Sequence, residues 1–319
     1  MIAPRYRLVV VLGLLQFLLF VVLQSALGIR LIEVKPLFEI TGRLKQPSDV
    51  AVSPTGQIYV VDGVNNTVRM FDQRGNHLAS FGQKGSGEGE FNAPLGLDLG
   101  PSGQVYVADA GNHRVQVFTP KGIFKTAIPI PAAARRRPAD PSDVVVDDAR
   151  QRCYIVDNDN HRIMVYNLAD SKFGKSFGMP GTGKRAFRYP FLLTLDRDGY
   201  LYIVDVINTR VQVLNSDGLF VAFIGGWGVE KGGFFRPKGV AIDTRDRVYV
   251  SDSYMGVIQV FETTGEFRGA VGDTGTDTVK KFETPVGLFI DRRDRLYVVE
   301  MFADKVSVFQ IGGESGKNN

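Results

Sequence analysis

The chain has 319 residues, 44% of them apolar and 23% charged, ordinary globular proportions that exclude a wholly disordered, collagenous or polytopic membrane protein. A single cysteine, Cys153, excludes an intramolecular disulfide and a cysteine-based zinc cluster, so stability has to come from packing. The net charge of +4 is too small by itself to select nucleic acid over an anionic membrane or an acidic protein, and 36 glycines beside 22 phenylalanines and 11 tyrosines favour short strands joined by tight turns over helical bundles.

In chain order, the first feature is an apolar run from Leu8 to Ile29, interrupted by Gln16, Gln24 and Ser25. A helix rises about 1.5 Å per residue, so roughly 20 such residues cross a bilayer. Arg5 and Arg7 precede the run and no acid appears before Glu33, which predicts a cytoplasmic N-terminus and export of the remainder. Ala26-Leu27-Gly28 is a passable signal-peptidase site, so cleavage is the competing outcome. Residues 1–35 are therefore expected to form a basic tip, a signal anchor or transmembrane helix and a short linker. The expected location is membrane-anchored with the rest on the extracytoplasmic side, periplasmic or extracellular.

The remainder is periodic. Pro47, Pro94, Pro141, Pro190, Pro237 and Pro285 stand 47, 47, 49, 47 and 48 residues apart. Tyr59, Tyr106, Tyr154, Tyr202, Tyr249 and Tyr297 keep step, each followed three residues later by an acid: Asp62, Asp109, Asp157, Asp205, Asp252 and Glu300. Within a unit the apolar residues alternate with period two, as in Val50/Val52, Ile58/Val60 and Val68/Met70, and turn sequences such as Pro54-Thr55-Gly56 separate the runs. Each unit reads as a four-stranded antiparallel sheet. Six such sheets bury their faces only by stacking radially, which predicts an all-β, six-bladed β-propeller over residues 36–319. The sixth unit lacks a fourth strand after Val306–Phe309, and Leu37–Thr41 resembles the fourth strand of the first unit, so the N-terminal strand is expected to close the last blade.

The second unit carries Pro94-Leu95-Gly96-Leu97, then Gly103-Gln104-Val105-Tyr106-Val107-Ala108-Asp109, then Asn112-His113-Arg114-Val115-Gln116-Val117-Phe118 and Gly122. This pattern resembles the NHL repeat, and all six units, about residues 36 to 311, fit it. The resemblance implies a propeller used mostly as a protein- or RNA-binding platform, with some enzymatic relatives such as the peptidyl-amidating lyases.

Those lyases imply a central metal held by several histidines, whereas this chain has His77, His113 and His161, none placed by the repeat on the axis. An oxygen-ligand site remains, with Asp49, Asp98 and Asp143 on first strands near the channel as candidate metal ligands. The recurring acid after each tyrosine, with Asn65, Asn112, Asn160 and Asn208 three residues on, reads as turn chemistry. Cys153 fills a slot held elsewhere by Ile58, Val105, Leu201, Val248 and Leu296, which makes it a small buried hydrophobe.

The candidate partner-binding residues come from the loops. After the acid of the second strand, the first three units carry small or polar residues, but units four to six carry Val206-Ile207, Ser253-Tyr254-Met255 and Met301-Phe302. Trp227, the only tryptophan, lies in a neighbouring inter-unit loop with Phe234 and Phe235. Inter-unit loops also carry Arg135-Arg136-Arg137, Arg185 and Arg188, among other cations. Exposed apolar and aromatic groups mark interaction sites. The expected function is thus a non-catalytic, membrane-anchored scaffold that binds a protein partner through the inter-blade loop face. No cofactor is implied, export argues against nucleic acid, and a small-molecule substrate is not expected. The alternative is a propeller lyase or hydrolase with a carboxylate-bound divalent metal in its central channel.

Overall fold

The computed structural model describes residues 29–132, 138–273 and 275–312. The apolar run expected to cross the membrane lies outside these residues, apart from Ile29. Among the described residues no helix is long and apolar enough to cross a membrane, and helical structure is confined to two short 3-10 turns, Ala110–Asn112 and Val206–Asn208. From Leu31 onward the described residues are built of β-strands.

Repeats one to four each form a separate four-stranded antiparallel sheet, for example Pro94–Leu99, Val105–Asp109, Arg114–Phe118 and Phe124–Pro129 in repeat two. Repeats five and six belong to one nine-stranded sheet. Its join is a three-residue parallel pairing of Leu31–Glu33 with Ala270–Gly272, after which the same strand, Leu31–Ile40, turns to antiparallel pairing of Val34–Ile40 with Ile311–Val306. The strand therefore takes in residues 31–35, which the sequence had assigned to a linker. Pro36 is tolerated because a register shift between Pro36 and Phe38 removes the need for a ladder bond there. Glu39 meets Lys305 at 2.7 Å across this pairing.

Burial falls from the second strand outward. Val105–Asp109 is buried at every position, whereas the fourth strand of repeat one, His77–Phe81, is exposed or half-buried throughout. A strand covered on both faces needs apolar side chains at both parities, which is why the second strands read as continuous Val, Ile and Tyr runs. Six apolar clusters occur among the described residues, each formed by two consecutive repeats. Cys153 sits fully buried in the cluster of repeats two and three, and Val50, Val60 and Phe71 of repeat one pack with Val286, Val299 and Val308 of repeat six. The first and last repeats thus share a core.

Polar bonds also run between repeats. Thr244 Oγ1 donates to Asp294 at 2.7 Å and Arg197 meets Asp246 at 2.9 Å, linking the turns after the first strands of repeats four, five and six. On the opposite side, the last residue of the loop after each second strand adopts left-handed φ, and in repeats one, two, three and six its side chain reaches the next repeat. Asn66 accepts from Ala93 N–H, His113 donates to Ala139 O, and His161 accepts from Tyr189 N–H; Asp304 accepts from Gln46 N–H at 2.7 Å and closes the circuit to repeat one.

Candidate functional site

In every repeat the first residue of the first strand pairs with the last residue of the second: Pro47 with Asp62, Pro94 with Asp109, Pro141 with Asp157, Pro190 with Asp205, Pro237 with Asp252 and Pro285 with Glu300. The loops entering a repeat and the loops after its second strand therefore emerge on one face. The acid at that corner is a bracket for both loops. Asp109, fully buried, accepts from Asn92 N–H (2.7 Å), Asn112 Nδ2 (2.9 Å), Arg114 Nε (2.8 Å) and Gln116 Nε2 (3.1 Å). Asp62, Asp157 and Asp205 repeat the asparagine and arginine contacts. The turn-chemistry reading of these residues matches this geometry.

Repeat five departs from the scheme, and the departure builds the candidate site. It has neither the asparagine nor the arginine, and Asp252 instead accepts from the backbone N–H groups of Phe235 (2.6 Å), Arg236 (3.0 Å), Tyr254 (3.1 Å) and Met255 (2.9 Å). Both loops are thereby pulled onto one carboxylate by their backbones, leaving their side chains to face outward. Tyr254 is 66% exposed and stacks on Phe235, with ring centroids 4.1 Å apart. Offset stacks of this kind hold two aromatics in a fixed orientation.

Trp227 is 81% exposed on a loop of defined shape. Phe234 N–H donates to Gly226 O at 2.7 Å and Gly228 N–H to Phe234 O at 3.1 Å, while the Phe234 ring is fully buried beneath. A Cβ on Gly225, whose φ is +72°, would lie 2.2 Å from that ring, so glycine is required for the plug to seat. The loops before repeats two and four close the same way over Phe91 and Phe187, but place Lys84 and Pro180 where this loop has tryptophan. Val229, two residues on, is also exposed.

The remaining sequence candidates divide. Ile207 (50%) and Phe302 (61%) are exposed on the same face. Val206 is buried in the cluster of repeats four and five, and Met301 packs partly buried against the cluster of repeats six and one. Met255 is half-buried. Of each apolar pair the residue next to the acid points inward and its neighbour outward, the period-two consequence of a chain leaving a strand. Val206, Met301 and Phe234 are thus core residues, and the exposed group is Ile207, Trp227, Tyr254 and Phe302. Val229 and the Phe235–Tyr254 stack add to it. Val229 was missed in the sequence, although the alternation Trp227-Gly228-Val229 at a loop tip was the available signal.

Arg185 and Arg188 are exposed on the loop entering repeat four, their backbone N–H groups bound to Gln212 Oε1 and Asp205 Oδ1. Arg135, Arg136 and Arg137 lie outside the described residues.

In the channel, Asp49 Oδ2 accepts from Leu97 N–H (3.0 Å), Asp98 Oδ2 from Val146 N–H (2.7 Å) and Asp143 Oδ2 from Leu193 N–H (2.8 Å). Each carboxyl thereby bridges its own repeat to the next, from one through four. Burial raises Asp49 to about 7 and Asp98 to about 6; Asp143 is also raised, first by burial and then by the charge of Asp49. They line a small cavity of about 60 Å³, and Asp98 also lines a second one of about 400 Å³ among the turns of the face opposite the loops. Among the described residues no group of three or more His, Cys, Asp or Glu is placed to hold a metal ion, so these carboxylates do not fit the metal expected of them. Burial pushes the Cys153 thiol up to about 12, and it stays a neutral apolar filler.

The description NHL repeat matches residues 44–71 and 91–118. No curated protein matches the sequence. Solved structures similar in fold include virginiamycin B lyase from Staphylococcus aureus (14% identity, TM-score 0.63, covering 88% of this chain and 100% of that one). Others are a gluconolactonase from Xanthomonas campestris (12%, TM-score 0.65, 86% and 88%) and a protein of unknown function from Bacteroides thetaiotaomicron (17%, TM-score 0.65, 88% and 72%). At such identities the likeness establishes the fold alone. Two repeats therefore match the NHL repeat in sequence, and the sheets of the chain together with these structures make its fold that of an all-β propeller.

Proposed function

We propose that this protein is a membrane-tethered, extracytoplasmic scaffold whose loop face over repeats four to six docks a protein partner. The observation that carries the reading is the exposed set Ile207, Trp227, Tyr254 and Phe302, held by buried brackets rather than by packing of its own. Aromatic anchors fixed before binding lose little conformational entropy on docking, which favours this set as the centre of an interface. The propeller itself is six-bladed in this reading: the nine-stranded sheet is blades five and six joined through Leu31–Glu33, and the core shared by repeats six and one supports closure of the ring. The tether is the apolar run Leu8 to Ile29, with Arg5 and Arg7 on its cytoplasmic side.

Lyase and lactonase neighbours favour an enzymatic reading only through fold, and the channel carboxylates that would carry it are engaged as bridges between repeats. The test is site-specific photocrosslinking in cells, with the crosslinking residue at Tyr254 or, as control, at Ile123, which is equally accessible in the turn before the fourth strand of repeat two. A discrete protein adduct from Tyr254 alone is expected. Identical adducts from both positions, or none, would remove the reading.

A further inference from the structure

The chemistry of the partner can be read from how charge is distributed around the exposed apolar group. Each loop entering a repeat is bonded to the loop after that repeat's second strand by one backbone bond. Ile207 N–H donates to Arg188 O at 3.1 Å, and Ser253 N–H donates to Arg236 O at 3.0 Å. The same bond in the other repeats uses Lys45, Asn92, Asp140 and Thr284. Only repeats four and five thus place an arginine directly beside an apolar tip.

Both arginines are exposed, and neither guanidinium has an ion-pair partner among the described residues. Lys45, the remaining cation in this slot, is spent on Asp304 at 3.0 Å. Lys238, lying 4.3 Å over the Phe191 ring, is held below the ordinary lysine range by burial and by the charge of Arg236. The loops over residues 178–189 and 225–236 together carry five cations, Lys184, Arg185, Arg188, Lys231 and Arg236, against one acid, Glu230. The loop over residues 82–93, which closes the same way, has Lys84 against Glu88 and Glu90 and no exposed aromatic. Positive charge therefore meets the exposed apolar groups Ile207, Trp227 and Tyr254 on repeats four and five.

We propose that the partner docks with a segment in which apolar side chains alternate with carboxylates, the apolar groups seated on Trp227 and Tyr254 and the carboxylates on Arg188 and Arg236. The inference rests on the docking reading above and specifies its partner. A planar guanidinium takes a carboxylate through two parallel hydrogen bonds, so two free arginines flanking an aromatic centre select spacing as well as sign. Charge of this kind at an interface rim governs specificity and encounter rate, while the aromatics supply the affinity.

The test uses the full-length protein in detergent and three fluorescent probes read by anisotropy: a short peptide alternating glutamate and phenylalanine, the same peptide with lysine for glutamate, and a single-stranded RNA of similar length. The glutamate peptide is expected to bind saturably, and the double variant Arg188→Glu/Arg236→Glu to weaken it roughly tenfold or more while gaining the lysine peptide. The milder pair Arg188→Gln/Arg236→Gln serves if charge reversal disturbs folding, and is expected to weaken the glutamate peptide without favouring the lysine one. Equal binding of both peptides, preference for RNA, or no peptide binding overturns the inference. If crosslinking from Tyr254 persists unchanged in the double variant, this inference fails while the docking reading survives; if the crosslink is absent in the parent protein, the docking reading has failed first.

Discussion

Asp109 and its equivalents, read from the sequence as turn chemistry, are corner brackets, because a short acid at the end of a strand meets the backbone N–H groups of the adjoining loops before it meets anything else. Asp109→Ala strands Arg114 and three amide donors in a buried corner and is expected to cost about 3–5 kcal/mol in a denaturant titration. The channel acids are a different case. The raised values of Asp49 and Asp98, about 7 and about 6 against an ordinary 3.8, mean that the folded state favours the neutral form. Their contribution to stability is complete below the unfolded value and is lost as pH rises through the folded ones. Melting temperature is therefore expected to fall between mildly acidic and mildly alkaline pH, and Asp49→Asn, which retains an acceptor for Leu97, to flatten the profile and stabilise the alkaline side. An unchanged pH profile in the asparagine variant would show that Asp49 titrates alike in the folded and unfolded states and contradict this account. The bridging role of these acids was not legible in the sequence, since Leu97, Val146 and Leu193 donate from the next repeat some fifty residues away.

Strand positions were legible because a second strand covered on both faces has to be apolar at both parities, and the tyrosine-to-acid interval fixes where it ends. The pairing of the N-terminal segment with the last repeat was also readable, from a strand missing at one end and left over at the other. The parallel join to repeat five was not: Leu31-Ile32-Glu33 has no partner signature, and its pairing follows from where the preceding strand edge runs. Removing residues 1–29 leaves Leu31–Ile40 intact and is expected to preserve melting temperature. Removing residues 1–43 deletes the strand, exposes the edge of Lys305–Ile311 and uncovers Phe309, and is expected to give aggregated or strongly destabilised protein. Equal stability of the two truncations would show that the strand is dispensable.

At the scale of the molecule, a repeat of about 47 residues gives the fold, and what is repeated gives little about function; the informative residues are those that break the repeat. Tyr254 and Trp227 were visible as large groups in slots that elsewhere hold small ones. Which members of each apolar pair face outward was not visible, because it depends on the angle at which each loop leaves its strand. In the proposed topology, with Arg5 and Arg7 on the cytoplasmic side of the apolar run, a reporter active only after export is expected to work when fused after Asn319, and a cytoplasm-only reporter to fail.

The central claim is that the loop face over repeats four to six is a docking surface and not an outlying piece of core. It is tested most directly by replacing Trp227, Tyr254 and Phe302 singly with alanine and measuring, for each, both affinity for the crosslinked partner and unfolding free energy. Anchors are expected to lose roughly 2 kcal/mol or more of binding with stability nearly unchanged. Losses of about 3 kcal/mol in stability with affinity intact would instead mark the three as buried packing and contradict the account.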